Sequence, residues 1–389
     1  MKNSSPSLEA IKQAARDRIA DGAEGLFELS HQIHAHPELA FEEVRASHWL
    51  AEALGECAME VRMGICELPT AFEATTGSGP LVVAICAEYD ALPSIGHACG
   101  HNIIASSAVG AALALAPLAD DLGITLKILG TPAEEGGGGK ILMLQRGGFA
   151  GVHAAMMVHP GPYESIQLEC LAVSHLKVSY HGRSSHAAGA PELGINAADA
   201  MTIAQVSIGL LRQHLPPGHR VHGIVTNGGQ AANIVPEEVE GEFFVRAVSL
   251  EDLVPIEGRV RKCFEAGAVA TGSSLQIEEL SPPYSEFKAD PGMACAYMRN
   301  AVKLGREFPP SNPALLMSTD MANVSLAIPA IHPMLAIGSL PAVNHQPEFA
   351  RAAISPTGDQ AIVDGAAAMA WTVIDLATTG ERQRLVLNA

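Results

Sequence analysis

Aromatic side chains are scarce in this 389-residue chain, at 4% of positions, and basic residues are outnumbered: 24 Lys and Arg face 42 Asp and Glu. The formal net charge of -18 leaves no broad cationic surface. It therefore disfavours nucleic acid and anionic membranes as partners, since no basic face is there to release counterions. A disulfide framework is also missing. The seven cysteines (Cys57, Cys66, Cys86, Cys99, Cys170, Cys263 and Cys295) are odd in number and scattered, which points to a reducing, cytoplasmic setting. The start of the chain, MKNSSPSLEAIKQAARDRIADG, carries no apolar core of the signal-peptide kind, so no such leader is expected. The longest apolar run, 103–119, consists of small residues and is broken by Ser106, Ser107 and Pro117. It reads as a buried helix rather than a membrane span. Repeats and low-complexity tracts are absent.

What remains is a globular composition rich in Ala and Gly, long enough for two domains or for one inserted into the other. Residues 7–35 have helical periodicity, with Ser7 as a candidate N-cap. Short apolar runs at 81–86, 124–129 and 154–158 read as buried strands, separated by helical stretches at 102–116 and 137–147. That alternation predicts an α/β sheet with helices on both faces. From about 172 to 283 the pattern becomes strand, helix, strand, strand, helix, strand, the order of a ferredoxin-like sandwich. SPPYSEF (281–287) reads as a hinge, after which the α/β pattern resumes with a helix at 291–304, a strand at 334–337 and a helix at 357–377. The expected fold is thus a mixed-sheet α/β/α catalytic domain (1–171 and 284–389) interrupted by a ferredoxin-like α+β domain (172–283).

Four segments could carry chemistry. AEYDALPSIGHACGHN (87–102) follows a buried strand and opens a helix, and it places Cys99 and His101 two apart. Thiolate and imidazole are good ligands for zinc and similar ions, although a packed cysteine and a capping histidine fit the same pattern. GTPAEEGGGGK (130–140) sets Glu134 and Glu135 side by side. In an extended segment they would point in opposite directions, one toward a metal and its neighbour toward a water. A phosphate loop is rejected, because position 134 lacks the required glycine and Ile141 replaces Ser/Thr. His159 in MMVHP and His345 in NHQPEF each follow a strand, and each could equally be structural. Jointly, Cys99, His101, Glu135, His159 and His345 all follow buried strands of the outer domain. Five ligands suffice for a pair of metals. His31, His34, His36 and His97 read as structural, and the run 136–139 as a loop that lets the backbone pass close by.

These motifs resemble the co-catalytic metallopeptidases and amidohydrolases of peptidase clan MH, which include carboxypeptidase G-type enzymes, aminoacylases and indoleacetyl-amino acid hydrolases. HAHPELAFEE (34–43), AEYDALP, GHACGHN, PAEEGGGG, GRSSHAAGAP (182–191), NIVPEEVEGEFFVRA (233–247) and STDMANVS (318–325) occur in that family's order. The branch most like this chain is the aminobenzoyl-glutamate hydrolase and dipeptidase group. The resemblance implies a dimeric hydrolase that holds two divalent ions per subunit, zinc or manganese, on Cys99, His101, Glu135, His159 and His345. It implies Glu134 as general base and Asp90 as the carboxylate that orients a ligand imidazole. It also implies His186 as an oxyanion donor reaching a partner subunit's site, and Asn233 and Arg246 as binders of the substrate carboxylate. Arg246 could instead pair with Glu242 on the same strand face. One departure stands out: Glu88 occupies the place where other branches have a metal-binding histidine. The expected substrate is a small N-acyl-amino acid, aminobenzoyl-amino acid or dipeptide. Deamination of an aromatic amine and a metal-binding homologue without activity are the rival readings.

Overall fold

The computed structural model describes residues 7–166, 169–309 and 316–387. The chain divides into two compact units, Met1–Glu169 with Phe287–Ala389, and Cys170–Glu286; the sequence places these junctions at 171/172 and 283/284.

The first unit is built on a six-stranded sheet. In spatial order its strands are Glu60–Met63, Phe72–Thr76, Ile124–Gly130, Leu81–Ala87, Ala154–Met156 and Ala330–Ile331. The last four run parallel, and the first two are antiparallel additions. Leu81–Ala87 is buried on both faces, as its apolar run requires of a central parallel strand. Val83 and Ile85 enter one core with Leu126 and Ile128. Ala84 and Cys86 enter the other with Leu129, Met143 and Phe149. This alternation makes the three layers.

Helix Leu8–Asp21 starts where the Ser7 side chain accepts from Ala10 N (3.3 Å) and buries Ala15 and Ile19. The small-residue helix His101–Leu115 packs against Pro356–Thr378 so closely that a Cβ on Gly110 would lie 2.8 Å from Ala366 Cβ. His101–Leu122 and Pro356–Thr378 are long and apolar enough to cross a membrane, yet they are 78% and 89% buried inside the fold. They serve as the central helices of its core.

The second unit has a four-stranded antiparallel sheet in the order Ser274–Glu279, Ala172–His181, Glu238–Ala247, Arg220–Asn227. Helices Ala197–Arg212 and Leu250–Thr271 complete the strand-helix-strand-strand-helix-strand order. Alternating Leu176, Val178 and Tyr180 face a core with Phe243 and Phe264, and the Tyr180 hydroxyl donates to Phe264 O (2.7 Å). The ferredoxin-like expectation is the fold observed.

Candidate metal centre

The site gathers at the carboxyl ends of three adjacent strands of the first unit. Leu81–Ala87 runs directly into Glu88 and Asp90, Ile124–Gly130 leads to Glu134 and Glu135, and Ala154–Met156 leads to His159. Cys99 and His101 lie on either side of Gly100, which adopts φ 79° and would meet Pro160 Cγ at 2.5 Å if it had a Cβ. Only glycine meets both conditions.

His101 is the first residue of its helix and is fully buried. Its Nδ1 donates to Asp90 Oδ1 (3.0 Å), while Asp90 Oδ2 accepts from Glu135 N (2.9 Å). Asp90 thereby fixes the imidazole and the glutamate pair together. Burial alone would raise the Asp90 carboxyl, but His101 outweighs it and holds the group below the usual carboxylate range. His101 Nε2 then faces Glu88 Oε2 (3.6 Å), Glu134 Oε2 (3.8 Å) and Glu135 Oε1 (3.8 Å).

The glutamates depart from the extended geometry expected for them. Residues 134–137 form a turn, set up by Ala133 at φ 59°, and both carboxylates reach the same face of His101 instead of opposite sides. The turn closes on itself, because a Cβ on Gly139 would fall 1.9 Å from Pro132 O. It also rests on Glu43, whose Oε1 accepts from Phe41 N (2.9 Å) and Ala133 N (2.8 Å) and whose Oε2 accepts from Thr70 Oγ1 (2.9 Å). Burial, then Asp90, lifts the Glu43 carboxyl to about 7. Burial, then Glu88 and Glu135, raises Glu134.

His159 donates from Nδ1 to Pro160 O (2.8 Å), which leaves Nε2 facing Cys99 Sγ at 3.5 Å. Burial pulls its pKa down to about 4, so the ring is neutral and available as a ligand. His345, at φ 68°, is pinned by its N–H to Ala98 O (2.8 Å) and brings Nε2 to 3.6 Å from Glu135 Oε2. Three overlapping groups have ligand atoms within 4.8 Å of one another: Cys99, His101 and His159; Cys99, Glu135 and His345; Glu88, His101 and Glu134.

These residues fit a pair of cations. His101 Nε2 and Glu135 Oε1 are buried and have no hydrogen-bond partner among the described residues, an arrangement that a bound cation satisfies. Burial, then Glu135, pushes the Cys99 thiol well above its ordinary range, so a thiolate at this depth needs a positive partner. His31, His34 and His36 are engaged elsewhere, with Asp359, Ala350 O and Gln32 O.

The sequence reading missed several neighbours. Lys140 Nζ lies 2.5 Å from Glu88 Oε1 and 2.7 Å from Asp320 Oδ1, all fully buried. Glu88 registers there only as a departure, and nothing local pairs it with Lys140. Glu43 lies within a recognised motif but carries no sign of its target. His332 is buried with its ring centroid 5.2 Å from that of His159, and neither ring nitrogen has a hydrogen-bond partner among the described residues.

His186, Asn233 and Arg246 belong to the second unit. His186 is exposed, and its Nδ1 accepts from Ala188 N (3.2 Å) and Gly189 N (2.9 Å), so Nε2 carries the proton. Asn233 O accepts from Ala187 N (3.0 Å), which brings the His186 and Asn233 loops together. Arg246 lies on the Glu238–Ala247 strand, donates from Nε to His222 Nε2 (3.2 Å) and sits 6.0 Å over the Phe244 ring.

Residues 173–271 match the family profile described as a peptidase dimerisation domain. Over 396 aligned residues the chain is 39% identical to an Xaa-Arg dipeptidase of Mus musculus, covering 96% of this chain and 90% of that one. It is 32% identical over 290 residues to a p-aminobenzoyl-glutamate hydrolase polypeptide of Escherichia coli (strain K12), covering 69% and 60%. Among solved structures it resembles an aminobenzoyl-glutamate utilization protein from Klebsiella pneumoniae (TM-score 0.73, 18% identity, 92% and 97% covered). It also resembles a dinuclear metal binding peptidase from Bacillus subtilis (TM-score 0.69, 22% identity, 92% and 99% covered).

Proposed function

The chain belongs to the M20 family of metal-dependent amide hydrolases, and on that footing we propose that it is a dipeptidase releasing a basic C-terminal amino acid. The mammalian Xaa-Arg dipeptidases match nearly the full chain, whereas the aminobenzoyl-glutamate hydrolase matches less of it at lower identity. The observation that carries the reaction class is the convergence of Glu134 and Glu135 on His101, beside two buried ligand atoms with no hydrogen-bond partner.

When bound, the two ions supply Lewis-acid polarisation of the scissile carbonyl and acidify the attacking water. Cys99, His101, Glu135, His159 and His345 would hold them. The Cys99 thiolate favours zinc over manganese. Glu134 takes a proton from the water as its oxygen bonds to the carbonyl carbon, and returns that proton to the amine nitrogen as the C–N bond breaks. Asp90 keeps His101 in the tautomer that turns Nε2 to the centre. His186 donates from Nε2 to the developing oxyanion, and Arg246 and Asn233 bind the substrate's terminal carboxylate.

The functional form is a homodimer in which His186 serves the second copy's site, in a cytosolic setting. The edge strand Arg220–Asn227 exposes 64% of Ile224, and the same unit exposes 59% of Val206 and 70% of Leu210, apolar surface that a partner copy would cover. The test is a screen of zinc- and manganese-reconstituted protein against dipeptides varied at each side of the amide, with aminobenzoyl-glutamate alongside. Preference for Arg or Lys at the C-terminal position supports the reading. Turnover of aminobenzoyl-glutamate alone overturns the substrate, and ammonia release from aryl amines without amide cleavage overturns the reaction.

A further inference from the structure

Behind the candidate metal centre lies a buried charge cluster to which the mechanism above assigns no role. Glu88, Lys140 and Asp320 have no exposed surface. Asp320 grips Lys140 twice: Oδ2 accepts from the backbone N (2.8 Å) and Oδ1 faces Nζ (2.7 Å). This fixes the head of helix Gly139–Gln145, just after the turn that carries Glu134 and Glu135. Lys140 Nζ then pairs with Glu88 Oε1 at 2.5 Å, an ion pair without regular hydrogen-bond geometry, and Glu88 Oε2 has no hydrogen-bond partner among the described residues. Burial opposes a charge on Lys140, but Asp320 and Glu88 outweigh it and keep the ammonium protonated. A buried ion triad is expensive and persists only where each member is held.

Glu88 is also the carboxylate best placed to compete for a cation. Its Oε2 is 3.6 Å from His101 Nε2, and with His101 and Glu134 it forms a group of ligand spacing. With Glu88 in the ligand set, a further carboxylate would engage an ion beside Glu134, since both face His101 Nε2. We propose that Lys140 is a positioning residue that keeps Glu88 out of the ligand set, serving as a fixed internal cation so that Glu134 stays off the metals and available to the water. The clamp ties together AEYDALP, GGGGK and STDM, with the Glu88 and Asp320 carboxylates on one ammonium.

The proposal rests on the two-metal reading, and the test separates the two. Wild type, Glu88→Gln, Lys140→Met and the double variant would be loaded with Co2+. Ions per chain, dissociation constants and the visible spectrum would be measured, with kcat and KM on the preferred dipeptide. Glu88→Gln should keep two ions and the wild-type spectrum. Lys140→Met should bind Co2+ about tenfold more tightly with an altered spectrum, as the freed Glu88 joins the ions. Its kcat should fall on the order of 10²-fold with KM within a few-fold. Adding Glu88→Gln to Lys140→Met should restore the spectrum and raise kcat, a rescue that a merely structural lysine would not give. Loss of an ion in Glu88→Gln, or unchanged cobalt binding in Lys140→Met, overturns the proposal while leaving the two-metal reading in place. Fewer than two ions in wild type overturns that reading first. If Lys140→Met does not fold, Glu88→Gln decides: two ions with an unchanged spectrum support the clamp, and one ion overturns it.

Discussion

The two units treat charge in opposite ways. Among the described residues, every buried carboxylate and lysine belongs to the first unit, including Glu43, Glu88, Asp90, Glu134, Lys140 and Asp320. The second unit buries serines and His219 and keeps His186 and Asn233 exposed. Charge is costly to remove from water, so each buried charge of the first unit needs a partner, at the candidate metal centre or in separate pairs such as Lys12 with Asp375. The exposed polar and apolar residues of the other unit are those proposed above to face a partner or a substrate.

The contrast breaks most directly at Glu134. Glu134→Ala should lower kcat on the order of 10³-fold, because a buried base is removed from the reacting water. The protein should retain two ions per chain by elemental analysis. Near wild-type turnover would end Glu134's role as base. In the second unit, His186→Ala should lower kcat on the order of 10²-fold. Its unfolding free energy should shift by less than about 0.5 kcal/mol, as expected of an exposed side chain. Mixing it with Glu134→Ala protein should restore activity through mixed dimers; no recovery after subunit exchange would count against a shared site. A smaller change comes from Asp90→Asn, which keeps the shape but weakens the hold on His101. Metal affinity should drop about 10- to 100-fold in a chelator titration, and an unchanged affinity would detach Asp90 from the centre.

How much of this could be read in the sequence follows the range of each interaction. The buried strands showed as apolar runs, and the ferredoxin-like order showed as changes of period. The pair Glu60–Met63 and Phe72–Thr76 did not, because EVRM and FEATT offer no apolar run, and Glu73 serves Lys127 on the next strand (2.8 Å). Cys99, His101 and Glu135 were legible through strand-end placement. The turn at Glu134 was not, since Ala133 takes a left-handed conformation without the glycine that announces one. The grip of Asp320 on Lys140 spans 180 positions and that of Glu43 on Ala133 spans 90, and neither has a local signal.

Glu43 gives the mildest way to sharpen the comparison, because it touches no reacting group and tests charge burial alone. Burial and Asp90 place its folded-state pKa at about 7, above the ordinary 4.5. A raised acid favours the protonated folded form. Its stabilising contribution is therefore complete below pH 4.5 and is lost as pH rises through 7. Glu43→Gln keeps an acceptor for the backbone N–H groups of Phe41 and Ala133 and offers its amide to Thr70 Oγ1, without a proton to lose. In urea unfolding of metal-free protein, the variant should gain on wild type by about 2 kcal/mol between pH 5.5 and pH 8. If the Glu43 difference is the same at both pH values, its carboxyl is ionised throughout, and the first unit carries one more buried negative charge than the geometry at Ala133 accounts for.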